Sequence, residues 1–260
     1  MSKRSNLIQI ILFLGFIALF SLLFILLPDR DFSEQENRYL DQAPKFSFKE
    51  LFEGDFTQDF ESYLSDQFIL RDEWITLKAA TEIGLGKHSN NNVYLCQDQT
   101  LIQRFDAPDQ QQYVSNLEAV NTFAENVEVP VCFALIPSAA EIWRDKLPKG
   151  APSADQSALI DQAYETVTAA QTVDVYNALD GNKDEYIYYR TDHHWTSLGA
   201  FYGANTILEA MGRDPLDLAD YVPTTVSDSF YGTIFSTSGV RWVPPDTIET
   251  YIPEDGVTVT

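Results

Sequence analysis

Histidine and cysteine are both scarce in this chain, which has three histidines and two cysteines among 260 residues. Two cysteines cannot build a disulfide framework. Cys96 and Cys132 each sit in an apolar, strand-like run, where a buried free thiol is the expected state; a single bridge between them stays open. Neither is assigned a catalytic role. Basic residues are few as well, 17 Lys and Arg against 39 Asp and Glu, for a formal charge of -22. No clustered cations are available to neutralise polyphosphate, so nucleic acid is excluded as a partner. The same imbalance disfavours lying flat on an anionic membrane surface. Apolar residues are not lacking: 45% of the chain is hydrophobic and 13% aromatic, enough for a real core.

The longest apolar run is Asn6 to Leu27, preceded by Lys3 and Arg4 and followed by Pro28-Asp29. Its length matches the roughly 20 residues a helix needs to cross a bilayer. Basic residues on the short N-terminal side predict that this side is cytoplasmic and that the chain from about Pro28 onward lies outside. A cleaved signal peptide is the rival. Its apolar core would be shorter, about 7–15 residues, and a small-x-small site would follow. The sequence after the run, LLPDRDFSEQENRYL, has no Ala-x-Ala. The expectation is an uncleaved anchor over residues 1–28.

Residues 29–90 read as a helical lead-in. KELFEGDFTQDFESYL (Lys49 to Leu64) places Leu51, Phe52, Phe56, Phe60, Tyr63 and Leu64 near one face, and Arg71 to Leu85 is a second helical run. Glycines at 84 and 86 stop it. Residues 91–260 change pattern. Val93–Cys96 and Leu101-Ile102 flank the polar turn Gln97–Thr100 as a hairpin. A helix over 109–126, a buried strand over 129–136, a helix over about 153–169, strands at 173–176 and 185–190 and a helix over 196–211 follow. This alternation predicts a parallel α/β sheet flanked by helices. Ligands bind such sheets beyond the carboxyl ends of the strands. Two segments fall there: Pro137-Ser138 and the run Arg190-Thr191-Asp192-His193-His194-Trp195-Thr196. Beyond 211 the chain is irregular and ends in a β-like run containing Val257 and Val259.

That run holds two of the three histidines. In extended backbone, residues i and i+2 share a side about 6.5–7 Å apart. Asp192 would then face His194, and His193 would point away. A carboxylate on one imidazole nitrogen fixes the tautomer and stabilises the imidazolium formed when the other takes a proton. This is the orienter–base half of a hydrolase or acyltransferase triad. Two other readings stand beside it. One is a purely structural hydrogen-bond cluster. The other is a zinc or manganese site, for which His88 is the only further histidine.

Thr191-Asp192-His193-His194-Trp195-Thr196 resembles the signature of bacterial DHHW proteins and the Asp-x-His-Trp motif of alginate O-acetyltransferase-type, SGNH-hydrolase-like proteins. Leu135–Ser138 with Ile142-Trp143 and Leu147-Pro148, Glu36-Asn37-Arg38, Asp66-Gln67-Phe68 with Arg71, and Tyr231-Gly232-Thr233 are also similar to positions of that family. The resemblance implies an extracytoplasmic SGNH-hydrolase-like (flavodoxin-like) α/β domain over residues 91–260 and a Ser-His-Asp triad without cofactor or metal. Asp192 is implied as orienter and His194 as general base. It implies acyl transfer, usually of acetyl, onto an envelope polysaccharide acceptor, with a multi-span membrane acyltransferase supplying acyl groups. The family's serine follows the Asp-x-His motif in an Asp-Ser-Tyr or Thr-Ser-Tyr context, and no such tripeptide follows His194. The expectation is therefore a domain incomplete at its C-terminus, with Ser236 and Ser238 as substitute nucleophile candidates. Trp195, Tyr188 and Ser138 are expected to touch substrate. The contrasting function, for which Tyr186, Tyr188, Tyr189 and Trp195 would stack on sugar rings, is a non-catalytic glycan-binding protein; a metal-dependent hydrolase is the third.

Overall fold

The computed structural model describes residues 3–253, so Val257 and Val259 lie outside the described residues. The chain divides into two compact units, Met1–Ala80 and Thr81–Thr260. The division falls within a helix, where the sequence placed a boundary near 90.

The first unit begins with α1 (Lys3–Leu26), which is apolar on every side. Its span Arg4–Leu26 has a mean hydropathy of 2.8, long and apolar enough to cross a membrane. β1 (Phe32–Ser33) pairs antiparallel with β2 (Arg38–Tyr39). The expected single helix over 49–64 is two helices, α2 (Phe48–Glu53) and α3 (Asp55–Asp66), broken at Gly54, whose φ of 95° is one a side chain would resist. α4 (Arg71–Gly84) follows.

The lead-in motifs form one charge network. Arg38 grips Asp66 with both terminal nitrogens (2.7 and 2.6 Å) and Glu36 with Nε (2.7 Å). Arg71 donates to Glu36 at 2.6 Å. The Arg38 hydrogen bond, reinforced by the Asp41 amide, holds the buried Asp66 carboxyl below its ordinary range against the cost of burial. The Gln67 side chain donates to the carbonyls of Arg30 and Asp41 and accepts from the Arg30 amide. Two arginines shared between two carboxylates fix the loop against α3 and α4 more firmly than isolated surface pairs would.

In the second unit, β3 (Ser89–Asn90), β4 (Val93–Leu95) and β5 (Leu101–Gln103) form an antiparallel sheet. The β3–β4 turn runs through Asn91 and Asn92, both at positive φ, as a tight two-residue hairpin requires. α5 (Gln110–Glu125) is capped by Asp109, which accepts from the Gln112 amide. β6 (Cys132–Ala134) leads through α6 (Ala139–Ile142) and α7 (Gln156–Thr166) to β7 (Gln171–Val173), paired parallel with β6. The expected strand over 129–136 is thus three half-buried residues. α8 (Tyr176–Gly181) starts where a longer β7 was expected. α9 (Ser197–Ala210) is capped by Thr196, whose hydroxyl accepts from the Gly199 amide. β8 (Tyr221–Phe230) and β9 (Asp246–Pro253) form a long antiparallel pair flanking the short α10 (Thr233–Ser238). One buried cluster (Ile102, Ala140, Ile142, Trp143, Val173, Val175, Leu179, Ile187 and Tyr188 among its members) joins β5, α6, β7 and α8 beneath the histidine run.

Both cysteines are free. Burial pushes the Cys96 thiol up to about 12, which leaves it protonated and unreactive.

Candidate active site

The segment expected as a strand over 185–190 is a loop that folds back on itself. It makes one bridge, Tyr188 with Trp195. The Tyr189 amide donates to the His194 carbonyl (3.2 Å) and the Thr196 amide to the Ile187 carbonyl (2.9 Å). Residues 190–194 are the tip of this return. The edge of β5 steadies it, with the Leu101 amide donating to the Arg190 carbonyl at 2.8 Å.

At the tip, Asp192 Oδ1 accepts from the His194 amide at 3.0 Å and meets His194 Nδ1 at 2.5 Å. A carboxylate bonding the backbone two residues on is an Asx turn. One bend therefore supplies both the backbone shape and the imidazole contact. Oδ2 accepts from the Thr233 amide (2.8 Å) and hydroxyl (3.0 Å). Burial alone would raise the Asp192 carboxyl. The four hydrogen bonds from Thr233 and His194 outweigh it and hold the group below its ordinary value. A carboxylate only accepts, so His194 Nδ1 carries a proton and Nε2 presents a lone pair. The His194 ring is exposed.

His193 departs from the expectation. It does not point away: its ring lies 3.8 Å from that of His194, because the chain bends here rather than extends. Its Nδ1 sits 2.8 Å from Thr233 Oγ1. The single hydroxyl proton of Thr233 goes to Asp192, so His193 Nδ1 is the donor. His193 also lines a cleft of about 290 Å³ with Ile102, Arg104, Phe105, Ser138 and Ile234. Ser138 Oγ accepts from Gln156 Nε2 at 2.7 Å.

Two supports complete the site; the sequence singled out one only as part of the Tyr231-Gly232-Thr233 step, and the other not at all. Gly232 is pressed against Asp192: a Cβ there would stand 2.3 Å from Asp192 Cβ and Oδ2. Only glycine lets Thr233 reach the carboxylate. Asp246 is 0% exposed and gathers the loop's root. It accepts from the amides of Arg190 (3.0 Å) and Thr191 (2.8 Å), from Thr191 Oγ1 (2.5 Å) and from the Tyr186 hydroxyl. It sits 54 positions after the aspartate it supports, which no local pattern could reveal.

The remaining expected site residues are elsewhere occupied. Tyr188 is 1% exposed, packs edge-on against Trp143 and donates to the Pro137 carbonyl, so it belongs to the core and offers nothing to a substrate. Trp195 is half-buried over α9, where a Cβ added at Gly203 would lie 2.7 Å from its ring. Ser238 is fully buried, donating to the Phe235 carbonyl and accepting from the Val240 amide. The Ser236 hydroxyl donates to the Gly232 carbonyl at 3.4 Å, and its own carbonyl accepts from Arg241 at 3.1 Å. Among the described residues, no serine hydroxyl is hydrogen-bonded to His194. Donor atoms of Asp192, His193 and His194 lie within 4.8 Å of one another. Both Nδ1 atoms and both carboxylate oxygens are already hydrogen-bonded, so an ion there would have to bind through Nε2 or replace those bonds.

The α/β unit with an Asp-x-His pair on a loop above its core is an SGNH-hydrolase-like domain. The family described as "SGNH hydrolase-like domain, acetyltransferase AlgX" matches residues 95–244, and the chain belongs to it. Among solved structures, a DHHW family protein from Eubacterium siraeum is 28% identical with a TM-score of 0.56, over 64% of this chain and 56% of that one. The O-acetyltransferase domain of Pseudomonas putida AlgJ is 20% identical with a TM-score of 0.52, over 63% of this chain and 66% of that one. Bacillus cereus PatB1 with a sulfonyl adduct is 19% identical with a TM-score of 0.50, over 63% and 56%. The latter two show a shared fold. The chain spans between 56% and 66% of the lengths of these solved chains. No curated protein matches it.

Proposed function

We propose that this protein is a membrane-anchored, extracytoplasmic O-acyltransferase or esterase in which Asp192 and His194 are the orienter and general base of a Ser-His-Asp triad. One observation carries the reading: a 2.5 Å contact between His194 Nδ1 and a carboxylate whose other oxygen is held by Thr233. This fixes the proton on Nδ1 and leaves an exposed Nε2 to take a proton from an attacking hydroxyl. The serine that His194 serves is not assigned among the described residues. The acyl group is acetyl and the acceptor an envelope polysaccharide, as the resemblance to alginate O-acetyltransferase-type proteins implies. A multi-span membrane acyltransferase is the proposed acyl source. α1 is the anchor, with Lys3 and Arg4 on the cytoplasmic side. Burial of Tyr188 and commitment of the Tyr186 hydroxyl to Asp246 weigh against the glycan-binding alternative.

The test is hydrolysis of an activated acetyl ester by the membrane-bound protein, wild type against His194→Ala and Asp192→Asn. Removing a positioned general base costs on the order of 10²–10⁴-fold. Equal turnover in wild type and His194→Ala would eliminate the catalytic reading. Loss with a chelator, restored by zinc or manganese, would replace it with a metal-dependent one.

A further inference from the structure

Aromatic side chains are unevenly shared in the first unit. α1 turns Phe20 and Phe24 toward the lead-in helices: Phe20 stacks with Phe68 (ring centroids 5.8 Å) and lies 6.2 Å from Trp74, while Phe24 meets Tyr63 edge-on at 5.6 Å. Around these contacts the apolar surface is not covered by protein. Phe60, Phe68, Leu70, Trp74 and Leu77 are all exposed. A cleft of about 450 Å³ lies between α1 and α3, lined by Phe16, Phe20, Phe24, Leu64 and Phe68 with Ser21 its one polar residue.

Depth follows from helix geometry. At 1.5 Å per residue, Phe20 lies about 9 Å below the Leu26 end of α1, and the whole span Arg4–Leu26 is about 35 Å long. The hydrocarbon core is about 30 Å thick. However the small excess is divided between the two faces, Phe20 remains inside hydrocarbon, by about 4–9 Å. Side chains that touch Phe20 are then at hydrocarbon depth too. An interfacial helix buries its apolar face to about 5–10 Å, and the two depths agree.

We propose that α3 and the start of α4 are an interfacial membrane element: their apolar face is seated in the outer leaflet beside α1, and lipid acyl chains fill the cleft. The inference rests on the reading of α1 as a membrane anchor. Its polar groups suit the placement. Trp74 Nε1 donates to the Ile69 carbonyl (3.1 Å) and the Tyr63 hydroxyl to Asp29, so neither goes into lipid unpaired. The lead-in carries an acidic excess, so attraction to anionic headgroups contributes nothing here; apolar contact does. The element would hold the chain leaving α1 close to the bilayer and limit how far the following domain can swing from it.

The experiment places an NBD fluorophore on single cysteines in the full chain, after Cys96→Ala and Cys132→Ala, in phosphatidylcholine nanodiscs. Labels at Leu70 and Leu77 report the face, Leu14 reports the anchor, and Val226, exposed on β8, serves as the aqueous reference. The expected result is loss of emission at Leu14, Leu70 and Leu77 with doxyl-labelled lipid, and at Val226 with iodide. If Leu14 responds to lipid while Leu70 and Leu77 respond only to iodide, the anchor stands and the interfacial element is refuted. If Leu14 responds and the face is shielded from both quenchers, protein covers it and the proposal is equally overturned. Iodide quenching at Leu14 would remove the anchor and the proposal with it.

Discussion

Replacing Asp246 by alanine tests whether the site depends on a carboxylate far from it in sequence. The substitution strips acceptors from two buried donors, the Thr191 amide and hydroxyl, since Thr191 is itself 0% exposed. Each orphaned buried donor costs about 1–3 kcal/mol. The Arg190 and Tyr186 donors are only half-buried and regain water. The expected destabilisation is therefore about 3–5 kcal/mol, similar to breaking a buried charged network from one side. Asp246→Asn keeps the volume and one acceptor and should cost less, but its amide would face donors from one side. Urea unfolding followed by tryptophan fluorescence measures the stability. The Nδ1 proton resonance of His194 measures whether the loop tip keeps its geometry. In Asp246→Asn the stability should largely persist while that resonance shifts toward the solvent-exchanged position. An alanine variant within about 0.5 kcal/mol of wild type, the range of neutral surface changes, would refute the reasoning.

Two further outcomes follow from the Asp192 shell. Gly232→Ala puts a methyl 2.3 Å from the Asp192 carboxylate; overpacking of this kind costs about 1–3 kcal/mol. Ester turnover should fall further than that stability loss alone explains, and unchanged turnover would contradict the assigned role of Thr233. Asp192 also predicts an acid dependence. Its folded pKa lies below the ordinary 3.8, so the stabilisation it gives is complete above that ordinary value and is lost as the pH falls toward and through the lowered one. The stability difference between wild type and Asp192→Asn should shrink below about pH 4. A difference that persisted unchanged to strong acid would mean the carboxylate is not held by hydrogen bonds in the folded protein.

Local signals carried the sequence reading where local physics decides the outcome. The β4–β5 hairpin and the helices α5, α7 and α9 each depend on residues a few positions apart, and the structure has them close to where the sequence puts them. The reading failed where a tertiary contact overrides the pattern. Tyr186 to Arg190 has strong strand character, yet the segment turns back on itself, because its donors are claimed by Asp246 and its aromatic rings by Trp143 and the core. Tyr188 read as a surface aromatic for the same reason: composition does not say which tyrosine of a cluster is inside. Glu36, Arg38, Asp66 and Arg71 were visible as a pattern, but their common purpose appears only when β2 and α3 bring the two motifs together.

The two adjacent histidines show how hydrogen-bond counting assigns roles that proximity cannot. Both rings lie near Asp192, with His194 Nδ1 at 2.5 Å and His193 Nδ1 at 3.6 Å from the same oxygen. Only His194 is bonded to the carboxylate directly. His193 reaches it through Thr233, whose hydroxyl has one proton and spends it on Asp192, so His193 must donate. The order His193, Thr233, Asp192, His194 is then a chain of donors converging on one carboxylate from both sides. It holds both imidazoles as Nδ1–H tautomers while they are neutral and leaves both Nε2 atoms as acceptors. Of the two, His193 lines the cleft with Ser138, and His194 has the direct carboxylate that stabilises an imidazolium. The proposed general-base role therefore suits His194 better than His193. His193 is left as a polar wall of the cleft, able to accept a hydrogen bond from a hydroxylated ligand without competing for the proton His194 must take.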